Sequence, residues 1–554
     1  NDFTANNLST TAGAGNDVLA DSPSTYDDSG NGVGNYCTLS PLLRSGNNPP
    51  TLSNGNLTAA TNGSGAAWTN CGSTISVADD TGKWYWEVEF SVMNGTYEAR
   101  FGVAAEGYEF NRNTSGSGLP WLGSATGTSW SLSIDGNSYT GGSSTSYTSA
   151  LSTSDVYGVA LDTDNHTLTF YKNGSTLGTA YTGVSSPVLT PAFGFHTNNA
   201  NTINVNFGQR PFNNLPTGFK ALNTFNLDNP TIADPSVHFD IATDTGANIL
   251  SAATGLTDGA DFVWIKDRAN SSTDHILFNR VTDTGMDGTP HLRSNETDDE
   301  STCGTYSAPS GNSVGWVWNA GSSTVTRTDG SIDSEVRANT DAGFSICTYT
   351  SDNPAGNYTV GHGLNAVPEM YIIKARISNT GANGWYMYHK DIGNTKYLTL
   401  NSTAAETDYT IWNDTTPTSS VFTIGSGADN GAIDWLALCW SGVEGFSKFG
   451  SYPGGSSAFI WCGFKPKYLL IKCSSAAGQE WIILDSARSP INVVDDPLYA
   501  QNANDEATDS TRDVDFLSNG FKLRNTASGA TDYTGRTYIY CAWAESPFKY
   551  SNAR

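Results

Sequence analysis

An all-β chain of tandem antiparallel β-sandwich domains is the fold class this sequence predicts, and three observations predict it. Charged residues make up only 15% of 554 positions and Gly accounts for 58, against roughly 25% charge in an average soluble protein. Such a composition suits short strands joined by polar turns and starves helices of Ala, Leu, Glu and Lys. Next, apolar residues alternate with period two: in Lys83 to Phe90, Trp84, Trp86, Val88 and Phe90 fall on one face and Tyr85, Glu87 and Glu89 on the other. Lastly, one pattern is written three times. Phe262-Val-Trp-Ile-Lys266 returns as Met370-Tyr-Ile-Ile-Lys374 and Tyr468-Leu-Leu-Ile-Lys472. Each is followed by a second apolar run (275–278, 385–388, 481–484) and a third that ends on Trp318, Trp440 or Trp543. The Lys positions lie 108 and then 98 residues apart, a small-domain length rather than a solenoid period.

Taken in order, residues 1–35 are rich in Asn, Asp, Gly, Ser and Thr and read as an extended lead-in. Residues 36–212 carry the clearest strands: 82–90, 155–161, 167–171 and 203–207, with turns at Asp162-Thr-Asp-Asn165 and at Lys172-Asn-Gly174. Asn-Gly is suited to the positive φ that a tight hairpin demands. Residues 213–236 hold Pro216, Pro230 and Pro235 without periodicity and read as a linker. Three repeats follow at 237–342, 343–444 and 445–554, the last two opening on Gly343-Phe-Ser345 and Gly445-Phe-Ser447.

Charge bounds the function. Lys and Arg number 28 against 54 Asp and Glu, a net −26, which disfavours a nucleic-acid backbone and an anionic membrane surface. No run approaches the 18 apolar residues of a membrane helix, so neither nucleic-acid binding nor membrane insertion is expected. The eight cysteines show no C-x-x-C pair and mostly sit in apolar runs, as buried free thiols do. That pattern points to folding in a reducing cytoplasm; the sequence leaves open whether Cys37 and Cys71 pair.

The residues 82–88 (GKWYWEV), 157–162 (YGVALD), 168–174 (LTFYKNG) and 191–194 (PAFG) stand in the order of a SPRY domain's strands. The region resembles that family, which implies a concanavalin-like sandwich of two antiparallel sheets. The stretch 6–17, the SPRY-like unit, Val360-Gly-His-Gly-Leu364, 516–523 (FLSNGFKL) and the ending 546–554 occur together. As a set they resemble a family of large tail-fibre-like proteins of marine tailed bacteriophages. In such proteins a laminin-G-like domain often precedes the first stretch, so the resemblance implies a chain that begins at a fragment boundary and ends at its natural C-terminus.

Catalytic signatures are absent from the sequence. Glu87 and Glu89 have the alternation a retaining glycosidase needs for its two carboxyls, but the Glu-x-Asp-x-x-Glu of sandwich glucanases is missing, and a solvated strand face is expected instead. Asp162 and Asp164 read as turn residues rather than calcium ligands, and 297–300 as a solvated acidic loop. Seven scattered histidines give no metal spacing; His362 reads as a turn residue. No catalytic residue, metal or cofactor is expected. Trp318, Trp440 and Trp543, repeating at one position, read as core, as do Trp84 and Trp86. Trp121 differs, because it sits between strands with Tyr108, Arg112, Tyr139 and Tyr147 in neighbouring loop-like segments. Aromatic loop residues are a usual means of holding a sugar ring or peptide, and these five are the candidate ligand-binding residues.

The resemblance therefore implies a non-enzymatic virion fibre protein, a tail fibre or receptor-binding adhesin. Its partners would be a host surface glycan or protein and other virion proteins, it would assemble as a homotrimer, and it would fold in the host cytoplasm before joining the virion surface. The rival expectations are a tailspike-like polysaccharide depolymerase and a structural fibre or decoration on the capsid.

Overall fold

The computed structural model describes residues 35–550 apart from 46–47, 65–66, 96–98, 107, 109, 111–120, 125–128, 352–355, 378–383, 429–431, 456–457 and 525–529. The chain is all-β with antiparallel sheets, and helices among the described residues are single turns such as Ile249–Ala252 and Glu300–Cys303. It divides into two compact units, residues 1–228 and 229–554.

The first unit is a sandwich. One sheet runs in the order Leu39–Arg44, Trp68–Ser73, Leu189–His196, Ala99–Ala105, Ser129–Ser133, Asn137–Thr140, Ser143–Ser146. The other is centred on Lys83–Val92, flanked by Val156–Asp162 and Thr202–Asn206. Between them, Phe101 packs against Phe90, Tyr157 and Phe170 at ring-centroid distances of 6.0, 6.1 and 5.6 Å. The Asn173-Gly174 turn takes φ of 48° and 81°, the left-handed pair its sequence calls for.

Two expectations change here. The face of Lys83–Val92 that carries Glu87 is not solvated: Glu87 is only 4% exposed. The Asn214 amide donates to its carboxylate (3.2 Å), as does the Tyr85 hydroxyl (3.3 Å), and Phe212 lies edge-on over Tyr85 at 5.1 Å. The cover comes from the supposed linker. Lys220–Ala221 pairs in parallel with Lys83–Val92, and Leu222 is wholly buried. Further along, Ile232 is buried in the core of the second unit. Prolines remove periodicity from 213–236, but they leave extended backbone that a sheet can still accept.

The second unit is built from the three repeats, each supplying an antiparallel sheet of the same order. In the first it is Phe239–Thr245, Asn312–Trp318, Phe262–Asp267, Ile276–Asn279; the second and third place Phe344–Thr350, Asp434–Trp440, Met370–Ile377, Tyr386–His389 and Ser447–Pro453, Thr537–Pro547, Phe464–Cys473, Trp481–Asp485 likewise. Phe262, Met370 and Tyr468 stand opposite Trp318, Trp440 and Trp543. Lys266, Lys374 and Lys472 stand opposite Val314, Leu436 and Ile539, so the triple mark occupies one structural position.

Rather than closing three separate cores, the sheets turn one face each toward a shared cluster that takes residues from all three repeats. The Trp318, Trp440 and Trp543 rings meet there pairwise at 5.6–6.3 Å. Each sheet's other face has a private cover: the turn Ile249–Ala252 in the first repeat, the pair Tyr358–Gly361 and Val421–Ile424 in the second, and Phe459–Trp461, Val514–Leu517, Gly520–Leu523 in the third. The hairpin Thr324–Arg327 and Ser334–Asn339, before the expected boundary at 342, joins the sheet of the second repeat.

The seams repeat as well. Trp385 Nε1 donates to the Arg293 carbonyl (2.9 Å), Trp481 Nε1 to the Thr399 carbonyl (3.0 Å), and His275 Nε2 to the Tyr499 carbonyl (3.0 Å). The second repeat thus binds the first, the third the second, and the first the third, which closes a ring. His275 Nδ1 accepts from Trp264 Nε1 (2.8 Å), which puts the proton on Nε2; burial pushes its pKa down to about 3. Ion pairs follow the same cycle, Arg376 with Glu300 (2.9 Å) and Arg268 with Glu506 (2.6 Å). At the remaining seam Ser474 takes the arginine's place and holds the Glu406 amide through its carbonyl (2.8 Å).

All eight cysteines are buried and free, Cys37 and Cys71 included. His362 is buried as a turn anchor; its Nδ1 accepts from the Leu364 amide (3.2 Å) and its Nε2 donates to the Thr418 carbonyl (3.1 Å).

Candidate functional site

In the strand Ala99–Ala105, Phe101 and Val103 face the inter-sheet core, so period two sends Arg100 to the outer face of the sheet. Arg100 is opposite Gly194, which in turn is opposite Asn70; Trp68 and His196 form the next-but-one pair on that face. Tyr139 reaches the same face from Asn137–Thr140, through Ser131 and Gly102 in register. Trp121 enters from the segment that precedes Ser129–Ser133. That segment is pinned: the Leu122 carbonyl accepts from Arg100 Nη1 (3.1 Å) and Ser131 Oγ (3.1 Å), and the Gly123 amide donates to Ser129 Oγ (2.7 Å). Gly123 has φ +91°, and a Cβ there would lie 2.6 Å from that of Tyr139. Only glycine lets the segment come this close.

The result is a guanidinium enclosed by rings. Arg100 lies 3.7 Å from the Tyr139 ring centroid, 4.1 Å from Trp121 and 4.6 Å from Trp68. Trp68 and Trp121 are 6.0 Å apart, Trp121 meets Tyr139 edge-on at 5.7 Å, and His196 stands edge-on to Trp68 at 5.4 Å. Trp68, Trp121 and Tyr139 remain half-buried while Arg100 is 4% exposed. Burial pulls the Arg100 pKa down to about 10. Its Nε has no hydrogen-bond partner, and no carboxylate pairs with it among the described residues. Asp135, the nearby acid, is engaged by the Tyr139 hydroxyl (3.1 Å) and by the amide and side chain of Asn137 (3.0 and 2.8 Å).

Of the five residues expected to bind ligand, the fold brings together Trp121 and Tyr139. Tyr108 does not join them. It is 6% exposed, with its ring on Phe110 at 4.9 Å in a small core that includes Leu122; the loop uses it as an apolar anchor. Tyr147 is also turned away: its ring packs on Phe170 (6.0 Å) and its hydroxyl donates to the Gly178 carbonyl, tying the edges of the two sheets. Arg112 lies outside the described residues. Arg100, Trp68 and His196 went unrecognised in the sequence. The usable signal was Arg100 itself, the one charged residue in an otherwise apolar strand.

Other candidates are structural. Asp162 binds Lys83 (2.8 Å) and the Asn165 amide (3.0 Å), and Asp164 accepts from the Gly82 amide (2.9 Å). Among the described residues no group of three or more His, Cys, Asp or Glu side chains is placed to hold a metal.

Comparison with known proteins gives two family matches. Residues 234–547 match a family described as Domain of unknown function (DUF7483), and residues 83–210 match the SPRY domain. Solved structures similar to part of the chain include the SPRY domain of human HERC1, at 20% identity over 31% of this chain and 99% of that one, with a TM-score of 0.26. The TRIM65 PSpry domain is 22% identical over 31% and 88%, TM-score 0.24. Stonustoxin is 22% identical over 31% and 27%, TM-score 0.23. No curated protein matches.

Proposed function

The chain belongs to the DUF7483 family through residues 234–547, and we propose that it is a non-enzymatic adhesin of a tailed-phage virion fibre, with the ring as scaffold and the SPRY sandwich as the part that contacts the host surface. The observation that supports this reading is the cluster of Trp68, Trp121 and Tyr139 around Arg100. Half-exposed aromatic rings held rigid by a stacked cation are suited to gripping a sugar ring or a peptide at low entropic cost. The ring's aromatics, by contrast, are buried in one another. The partner is a host glycan or surface protein, the remaining contacts are to other virion proteins, and the protein works as a homotrimer on the virion surface.

The test is competition. Purified protein is expected to bind host cells and to block adsorption of the virion that carries it, while leaving host polysaccharide at its original length. Shortening of the polymer would replace the adhesin with a depolymerase. Gold-labelled antibody on intact virions is expected at the fibre tips, whereas label over the capsid would favour a decoration protein. Native mass measurement is expected to give three copies.

A further inference from the structure

Arginines in this protein that lose their water gain carboxylates. Arg488, whose side chain is fully buried, binds Asp485 (2.6 Å) and Glu506 (2.8 Å). Arg337 binds Asp261 (2.9 Å), and the half-buried Arg376 binds Glu300. This is what electrostatics demands, because a buried charge is costly unless paired. Among the described residues Arg100 is the exception. It is 96% buried in a chain with 54 carboxylates, yet its contacts among the described residues are three aromatic rings and one backbone carbonyl. Guanidinium carries five N–H donors in a fork that matches a carboxylate. Here one is seen to donate, and Nε has no partner.

We infer that this cluster is a subsite for a carboxylate-bearing sugar, its pyranose face on the half-exposed rings of Trp68 and Trp121 and its carboxylate closing the unpaired charge of Arg100. The inference rests on the adhesin reading and names its ligand class. Stacked rings suit the C–H face of a sugar, and the cation behind them supplies what a neutral platform lacks. A weakly hydrated guanidinium in an apolar surround attracts an anion more strongly than one in open water, because solvent competes less. The protein's net −26 does not forbid this, since charges farther away than about 8–10 Å are largely screened at physiological salt. Asp135, an acid whose charge reaches Arg100, is held by Tyr139 and Asn137.

The test uses the full chain and two probes that differ in charge: a short oligogalacturonate and the same oligomer with its carboxyls reduced to alcohols. By calorimetry the acidic oligomer is expected to bind at least about tenfold more tightly than the reduced one, and to weaken as salt rises. Arg100→Gln is expected to erase the difference, and Arg100→Lys, which keeps the charge without the fork, to recover part of it. If either variant fails to fold, the acidic and reduced probes on the unaltered protein still decide. Equal affinity for both probes, or binding to neither while host adsorption is still blocked, overturns the acidic-sugar assignment and leaves the adhesin standing. Failure to bind host cells at all overturns the adhesin reading itself.

Discussion

Two aromatic trios in this protein use the same residue types to opposite ends. Trp318, Trp440 and Trp543 meet at the centre of the ring with 3, 3 and 2% exposure. Trp68, Trp121 and Tyr139 gather on the outer face of a sandwich and keep part of each ring in water. In the first, each tryptophan comes from an equivalent strand and meets the other two, so what it recognises is protein, its own repeat and the next. In the second, the rings come from two strands and a loop, and what they share is a cation. Chemistry alone does not separate a core from a site; what separates them is whether the rings are satisfied by each other or left partly open around a charge.

If that distinction holds, the largest effect belongs to the inner trio. Trp440→Ala should destabilise the ring by about 3–5 kcal/mol, since a large buried side chain is lost and the surround collapses only in part. Thermal unfolding would register it, and a shift no larger than that of a surface substitution would mean that the trio is not core.

The outer trio should respond the other way round. Trp121→Ala with Tyr139→Ala should cost about 1–3 kcal/mol of ligand binding while the ring's melting transition stays in place. Unchanged adsorption to host cells by the folded double variant would remove this cluster as a binding site. A large loss of stability would instead place Trp121 among the core residues, beside Tyr108.

Next come the three equivalent lysines, buried in the ring and bonded to backbone oxygens: Lys266 to the Asp267 and Asn270 carbonyls, Lys374 to Thr297 and Lys472 to Gln479. Burial lowers all three, Lys374 and Lys472 to about 8. The unfolded chain, near 10.5, then binds more protons than the folded one between pH 8 and 10.5, so these groups make stability rise with pH across that window. Ionisation of buried Tyr and Cys on unfolding opposes this, so the measurement is a difference. Lys374→Met should flatten the rise relative to the unaltered chain in denaturant titrations at pH 7.5 and 9.5. Parallel pH profiles would show that Lys374 keeps an ordinary pKa.

The smallest expected effect sharpens the comparison within the ring. Two seams carry an Arg–Glu pair and the third has Ser474. Arg376→Ala should weaken its seam by about 1–3 kcal/mol because Glu300, largely buried, is left without its partner. Glu406→Ala should change stability by less than about 1 kcal/mol, since among the described residues its carboxylate holds only Lys396 (2.6 Å), in a more exposed setting. Equal effects at the two seams would mean that the ion pairs do not distinguish them.

What the sequence determined by itself was local and periodic. Alternation of apolar residues located the strands because a strand's side chains must take turns between two faces, and the Asn-Gly turn followed from positive φ. Threefold repetition of Ile-Lys and of the closing Trp marked equivalent positions because equivalent folds bury equivalent residues. Tertiary structure decided everything that depends on which faces meet. That three repeats share one core and close a ring, that the stretch 213–222 covers Glu87, and that Arg100 stands among Trp68, Trp121 and Tyr139 are contacts between residues far apart in the chain. Tyr108 and Trp121 look alike in sequence, each an aromatic in a glycine-containing stretch between strands. One is an anchor packed on Phe110 and the other lies half open beside Arg100, and no property of the isolated residues says which.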